Sequence, residues 1–194
     1  MSKLTRKDLY SLEEYSEMRE DFRKKLIAHK ENRRLELGDH LLLMFEDKLI
    51  MQYQIQEMLK AEKIFDAEGI EEELAAYNPL IPDGRNWKAT MLIQYPDVEE
   101  RQQRLTQLIG IENLIWMQVE GFDKIYAIAD EDLERDTAEK TSAVHFMRFE
   151  LDEAMADAVK SGASISAGVE HLNYQAIVSP IADNLRASLT TDLE

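Results

Sequence analysis

The sequence predicts an α+β fold, an antiparallel sheet of hairpins packed with several helices, in a single domain over residues 1–194. Three observations carry this expectation. Stretches with apolar residues at helical spacing are interleaved with stretches in which they recur at every second position. Several of the second kind are joined by short turns, at Gly38-Asp39 and at Glu120-Gly121-Phe122-Asp123, which argues for antiparallel pairing. No internal repeat and no change of composition divides the chain.

Residues 1–34 hold the first helix. Ser11 followed by Glu14 makes a capping box, and Tyr15, Met18, Phe22 and Leu26 recur on one face up to an expected end near Arg34. Leu35 and Leu37, then Leu41, Leu43 and Phe45, form the arms of a hairpin across Gly38-Asp39. Asp47 is placed to cap a second helix running to about Ala67, with Gly69 as its breaker and a short helix from Glu71 to Tyr77 beyond it. Asn78-Pro79-Leu80-Ile81-Pro82-Asp83-Gly84-Arg85-Asn86 has the two prolines and the glycine of a rigid loop.

From Trp87 to Tyr95 the period is two, with Trp87, Ala89, Met91 and Ile93 on one face and Lys88, Thr90, Leu92 and Gln94 on the other. Asp97 and Glu100 open a helix that carries Val98, Leu105, Leu108 and Ile109 and stops at Gly110. Leu114 to Val119 and Lys124 to Ala129 read as a hairpin. Residues 130–140, which include Asp130, Glu131, Asp132, Glu134, Arg135 and Asp136, read as a solvated loop or surface helix. A strand from Ser142 to Leu151, a helix from Asp152 to Ser161 closed by Gly162, and a strand from Ala163 to Val169 follow. Residues 179–194, opened by Ser179-Pro180, hold a last helix with Ile181, Leu185 and Leu189, expected as an appendage to the domain.

Composition narrows function by exclusion. The 194 residues contain no Cys, which removes a disulfide scaffold, a Cys zinc site, a cysteine nucleophile and an iron–sulfur cluster ligated by this chain. The formal net charge of −16 repels phosphate backbones and anionic lipid, so neither nucleic acid nor membrane is an expected partner. The start has no apolar core of a signal peptide, and no run approaches the roughly 20 apolar residues of a membrane span. A soluble, acidic, cytoplasmic protein is the expectation. The sequence contains no Gly-rich phosphate loop, nucleophile elbow, paired-His metalloprotease signature or EF-hand loop.

The second helix holds the most unusual residues. At 3.6 residues per turn, Met51, Ile55, Met58 and Phe65 centre an apolar stripe, and Gln52, Gln56, Lys60 and Lys63 form a water face. Glu62 falls within the stripe, Gln54 beside it and Glu57 on its flank. Inward carboxylates are costly unless paired, hydrogen-bonded or bound to metal. Either Glu57 and Glu62 line a polar cavity as metal ligands or as an acid and base, or each pairs with an interior Arg or Lys. His145 shares a strand face with Ala143, Met147 and Phe149 and is the available partner for them; the alternative is a hydrogen-bonded core histidine. His171, at a strand end, is a further candidate metal ligand or an exposed loop residue. In the loop, Asn78, Arg85, Asn86 and Trp87 offer amides, a cation for a carboxylate or phosphate, and a ring to stack on, or else they cap turns. The basic residues Arg23, Lys24, Lys25, Lys30, Arg33 and Arg34 gather near the end of the first helix, where cations offset its dipole.

Phe45-Glu46-Asp47, Gln52-Tyr53-Gln54-Ile55-Gln56-Glu57-Met58-Leu59, Tyr77-Asn78-Pro79-Leu80-Ile81-Pro82, Asn86-Trp87-Lys88-Ala89-Thr90, Lys140-Thr141-Ser142-Ala143-Val144-His145-Phe146 and Gly168-Val169-Glu170-His171 resemble, in that order, a bacterial domain family of unknown function, family 3501. The resemblance runs from about Leu4 to Tyr174 and brings no assigned activity. It implies a setting beside rubrerythrin-like and iron–sulfur oxidoreductase proteins, hence redox or peroxide metabolism with the redox chemistry in the partners.

Two functions compete on this reading. One is an accessory protein, a homo-oligomer that docks a redox partner through its acidic surface. The other is an enzyme, or a small-ligand or metal-binding protein, that uses Glu57, Glu62 and His145 in an interior polar cavity.

Overall fold

In a computed structural model, which describes residues 3–133, 135, 137 and 139–194, the chain forms six α-helices and two antiparallel sheets. Glu134 and Asp136 of the charged run lie outside the described residues.

Helix α1 (Leu12–Lys30) starts at the capping box: Ser11 accepts from the Glu14 amide and Glu14 reaches back to the Ser11 amide. It ends four residues before the expected Arg34, because Arg33 is drawn into the interior and Arg34 already opens strand β1 (Arg34–Leu37). β1 turns at Gly38, whose φ of 68° suits a residue without a Cβ, into β2 (Leu41–Glu46). Asp47 caps helix α2 (Lys48–Glu62), accepting from the Ile50 amide. α2 stops at Lys63 in a left-handed conformation, so Gly69 lies inside the next helix, α3 (Ala67–Tyr77), rather than breaking the previous one. A single 3-10 turn at Asn78–Leu80 then leads to β3 (Asn86–Ile93).

The expected alternation of β3 holds, with Trp87, Ala89, Met91 and Ile93 buried and Lys88, Thr90 and Leu92 half-buried. Asp97 caps α4 (Val98–Gln107), although Val98 and Ile109, expected on its apolar face, are exposed. β4 (Ile115–Val119) pairs with β5 (Ile125–Tyr126) as the hairpin reading requires, but at Ala127 the chain leaves that sheet and β6 (Ile128–Ala129) joins the other. β7 (Val144–Glu150), α5 (Glu153–Lys160), β8 (Ile165–His171), β9 (Tyr174–Val178) and α6 (Asp183–Thr190) complete the order. β9 was not expected; it closes a hairpin with β8.

One sheet has the order β1-β2-β3-β7-β6 and the other β5-β4-β8-β9. Their inner faces enclose one core, in which Phe45, Trp87, Met91 and Phe149 of the first sheet meet Ile115, Met117, Ile165 and Val169 of the second. Residues 179–194, read from sequence as a possible appendage, pack into this core through Ile181, just before α6, and through Leu185 and Leu189 of α6, and the Leu189 carbonyl accepts from Trp87 Nε1 at 3.0 Å. Arg33 ties it down. The guanidinium is fully buried, donates to the Phe45 and Glu46 carbonyls and forms a 2.6 Å ion pair with Asp192. Burial pushes the Asp192 carboxyl up to about 6 in spite of Arg33.

The first three helices have a separate apolar cluster of Leu26, Ile50, Met51, Ile55, Leu59 and Leu74. The end of α3 and the turn after it stand over the outer face of the first sheet, and the candidate site lies between them.

Candidate functional site

The predicted trio is not assembled. Glu57 is a clamp between helices: Arg19 of α1 grips both carboxylate oxygens, each at 2.7 Å, and the Tyr15 hydroxyl donates to Oε1 at 2.5 Å. The Arg19 bonds, with that of Tyr15, pull the Glu57 carboxyl down to about 2. Glu62, the last residue of α2, is exposed, since the last turn of the helix directs Leu59 inward and leaves Ala61 and Glu62 toward solvent. Its charge adds to burial in raising the carboxyl of Glu73 on α3. His145 is fully buried on the inner face of β7, its Nδ1 2.6 Å from Asp130 and its Nε2 2.9 Å from the Thr141 hydroxyl and 3.1 Å from the Ser142 carbonyl. Among the described residues no three His, Asp or Glu side chains gather as a metal-holding set.

Most of the remaining candidates have structural partners, and Gln54 and Arg85 are exposed. Gln54 is exposed, whereas Gln56, expected on the water face, is fully buried and bonds both the amide and the carbonyl of Tyr10. Gln52 donates to the Asp8 carbonyl, and Asn78 bonds the amide and carbonyl of Leu4. Three amide side chains thus replace a strand partner for the N-terminal segment, pairing backbone groups that are partly buried against the helices. Arg85 is exposed. Asn86 bonds the Asp83 amide and Glu150, and Trp87 is a core residue. His171 accepts from the Asn173 amide and faces the Ile109 carbonyl, so it locks the β8–β9 turn against the segment after α4.

What the structure does bring together is a groove of about 360 Å3 on the outer face of β3 and β7. Tyr77, Pro79 and Leu80 form one wall and Glu131 and Asp132 the other, with Lys88, Phe146 and Arg148 between them. Antiparallel register sets the floor. Glu46 of β2 stands opposite Lys88 of β3, and Lys88 opposite Arg148 of β7, so three charged residues cross the sheet in one row. Thr90 and Phe146 form the next pair on the same face.

The row is electrostatically uneven. Arg148 is fully engaged, with both oxygens of Glu131 at 2.8 Å and Glu150 at 2.5 Å. Glu46 accepts from the Thr90 hydroxyl at 2.6 Å, while its other oxygen is buried without a hydrogen-bond partner, and burial pushes its carboxyl up. Lys88 is half-buried and forms neither hydrogen bond nor ion pair among the described residues. Burial, and after it the Arg148 guanidinium, hold its ammonium below the ordinary lysine range; Glu131, Asp83 and Glu150 oppose this from a distance.

The acidic wall is more than a solvated charge run. Asp130, in a left-handed conformation, accepts from the Phe146 amide and contacts His145 and Arg135. Arg135 holds Asp132 with both terminal nitrogens and lies over the Phe146 ring at 4.6 Å. A chain of contacts from the core histidine to the groove rim therefore positions this wall. The sequence reads the wall as a solvated charge run and places Lys88 on the polar face of β3 and within a resemblance block, without assigning either to a site.

Comparison with known proteins extends the resemblance to the whole chain. A solved structure of a novel protein of unknown function from Burkholderia pseudomallei K96243 is 49% identical, with a TM-score of 0.93 and 100% of each chain covered. No curated protein matches. A family model described as "Protein of unknown function (DUF3501)" matches residues 3–193, the last helix included, and the chain belongs to that family.

Proposed function

We propose that this protein binds a small molecule in the Lys88 groove, with an apolar body between Leu80 and Phe146 and a polar head received by Lys88. The observation that carries this reading is Lys88 itself, a half-buried amine without a partner among the described residues in a groove whose other cation is already saturated. An unpaired buried charge costs stability and is retained where a ligand uses it. A volume of about 360 Å3 suits a small metabolite and falls at the lower end of the roughly 300–1,000 Å3 of ligand pockets.

The test is ligand-observed NMR with a panel of short-chain carboxylates, phosphate esters and carbonyl compounds. Members that bind the wild type should lose binding in Lys88→Met and keep it in Arg85→Ala. A panel without any binder, or one that binds Lys88→Met equally well, would overturn the reading.

The net charge of −16 favours a second reading, in which a cytoplasmic homo-oligomer docks a basic face of a rubrerythrin-like or iron–sulfur redox protein. Such a complex should weaken steeply with salt. Purified protein that runs as a monomer and captures neither partner at low salt would remove it.

A further inference from the structure

We infer that Lys88 is a nucleophilic amine, and that the ligand class of the groove is an aldehyde or ketone held as an imine on its Nζ. This rests on the reading of the groove as a ligand site and adds the chemistry of attachment.

Lysine attacks carbonyl carbon only as the free amine, and proteins create one by removing the ammonium from water or by placing a second cation beside it. Removal from water is the main device here; a cation on the neighbouring strand adds to it, while Glu131, Asp83 and Glu150 work against it from a distance. Phe146, Pro79 and Leu80 give the groove apolar walls around Lys88. Arg148 stands directly opposite in the β3–β7 ladder and is fixed there by Glu131 and Glu150. The lowered Lys88 ammonium is the expected result of the same surroundings. β3 holds the side chain on a rigid central strand paired on both sides, which a nucleophile needs in order to meet its target at a fixed angle.

The step balances without an oxidant or reductant. The Nζ lone pair forms a bond to the carbonyl carbon, the carbon–oxygen double bond opens, and the two amine hydrogens leave with that oxygen as water. The product is a carbon–nitrogen double bond between ligand and Lys88, and hydrolysis returns both.

The experiment uses the full chain at pH 7.5 with hexanal and, separately, 2-oxohexanoate, each with sodium cyanoborohydride, and maps modified lysines by peptide mass spectrometry. Lys88 should be alkylated at least about fivefold faster than the exposed lysines such as Lys24 or Lys63. Lys88→Arg, which keeps the charge, should leave the exposed lysines reacting as before. Hexanoate, whose carboxylate carbon forms no imine, is titrated in parallel by NMR. If Lys88 reacts only as fast as the exposed lysines while hexanoate occupies the groove, the imine is overturned and the binding reading stands. If none of the three compounds perturbs or labels the groove, both are overturned.

Discussion

Replacing Glu57 by glutamine removes the charge from the clamp between α1 and α2 and leaves its shape. The magnitude follows from the carboxyl being pulled from 4.5 to about 2. At about 1.4 kcal/mol per unit the full shift would be worth about 3 kcal/mol. The Glu57 side chain is 26% exposed and that of Arg19 40%, so solvent screening reduces this to about 1–2 kcal/mol at neutral pH. The sign is fixed by the direction of the shift. The folded-state carboxyl is the more acidic, so the stabilisation is complete above 4.5 and is lost as pH falls toward about 2. Urea unfolding of wild type, Glu57→Gln, Arg19→Met and the double variant at pH 7 gives the coupling directly, which should be about 1 kcal/mol, with the gap between wild type and Glu57→Gln narrowing below pH 4.5. A coupling below about 0.3 kcal/mol would refute the clamp. So would a Glu57→Gln protein of unchanged stability that no longer binds ligand, since that would make Glu57 part of the site.

Three further outcomes follow from the same geometry. Lys88→Met should raise stability by up to about 1 kcal/mol at neutral pH, because it removes an unpaired charge from the folded state; the lowered folded-state ammonium means that the gain fades as pH rises to 10.5, and urea melts at pH 7 and 10.5 measure it. Gln56→Leu should leave the Tyr10 amide and carbonyl unpaired at a cost of about 1–3 kcal/mol, seen as faster hydrogen exchange across residues 4–10. Gly168→Ala would place a Cβ 2.5 Å from the Trp116 ring and 2.8 Å from the Ala176 carbonyl oxygen, and should cost about 1–3 kcal/mol by thermal melting.

Local features of the fold were legible because their causes lie within a few residues. The Ser11–Glu14 box, the Asp47 and Asp97 caps and the alternation of β3 each need only neighbours in sequence. Features settled by distant partners were not. Gln56 is inside because the N-terminal segment covers it, and Arg33 is inside because Asp192, at the far end of the chain, meets it there. The crossing between sheets at Ala127 and the strand β9 depend on the pairing of elements, which periodicity does not specify.

The site shows the same division. An inward carboxylate on α2 was a sound reason to expect a partner, and Glu57 has one, Arg19, about two turns into α1. The Lys88 groove arises from the β2–β3–β7 register, which places Glu46, Lys88 and Arg148 in one row, and from a charged segment tethered through Asp130 to His145. Neighbours in that row are 42 and 60 positions apart in sequence.

The most direct test of the account is the titration of Lys88 by carbon-13 NMR at its ε-methylene, assigned by comparison with Lys88→Arg. Lys88 should lose its proton at lower pH than every exposed lysine, and its signal should shift when a groove ligand is added. A Lys88 that titrates with the exposed lysines and is indifferent to every compound that binds the protein would contradict it.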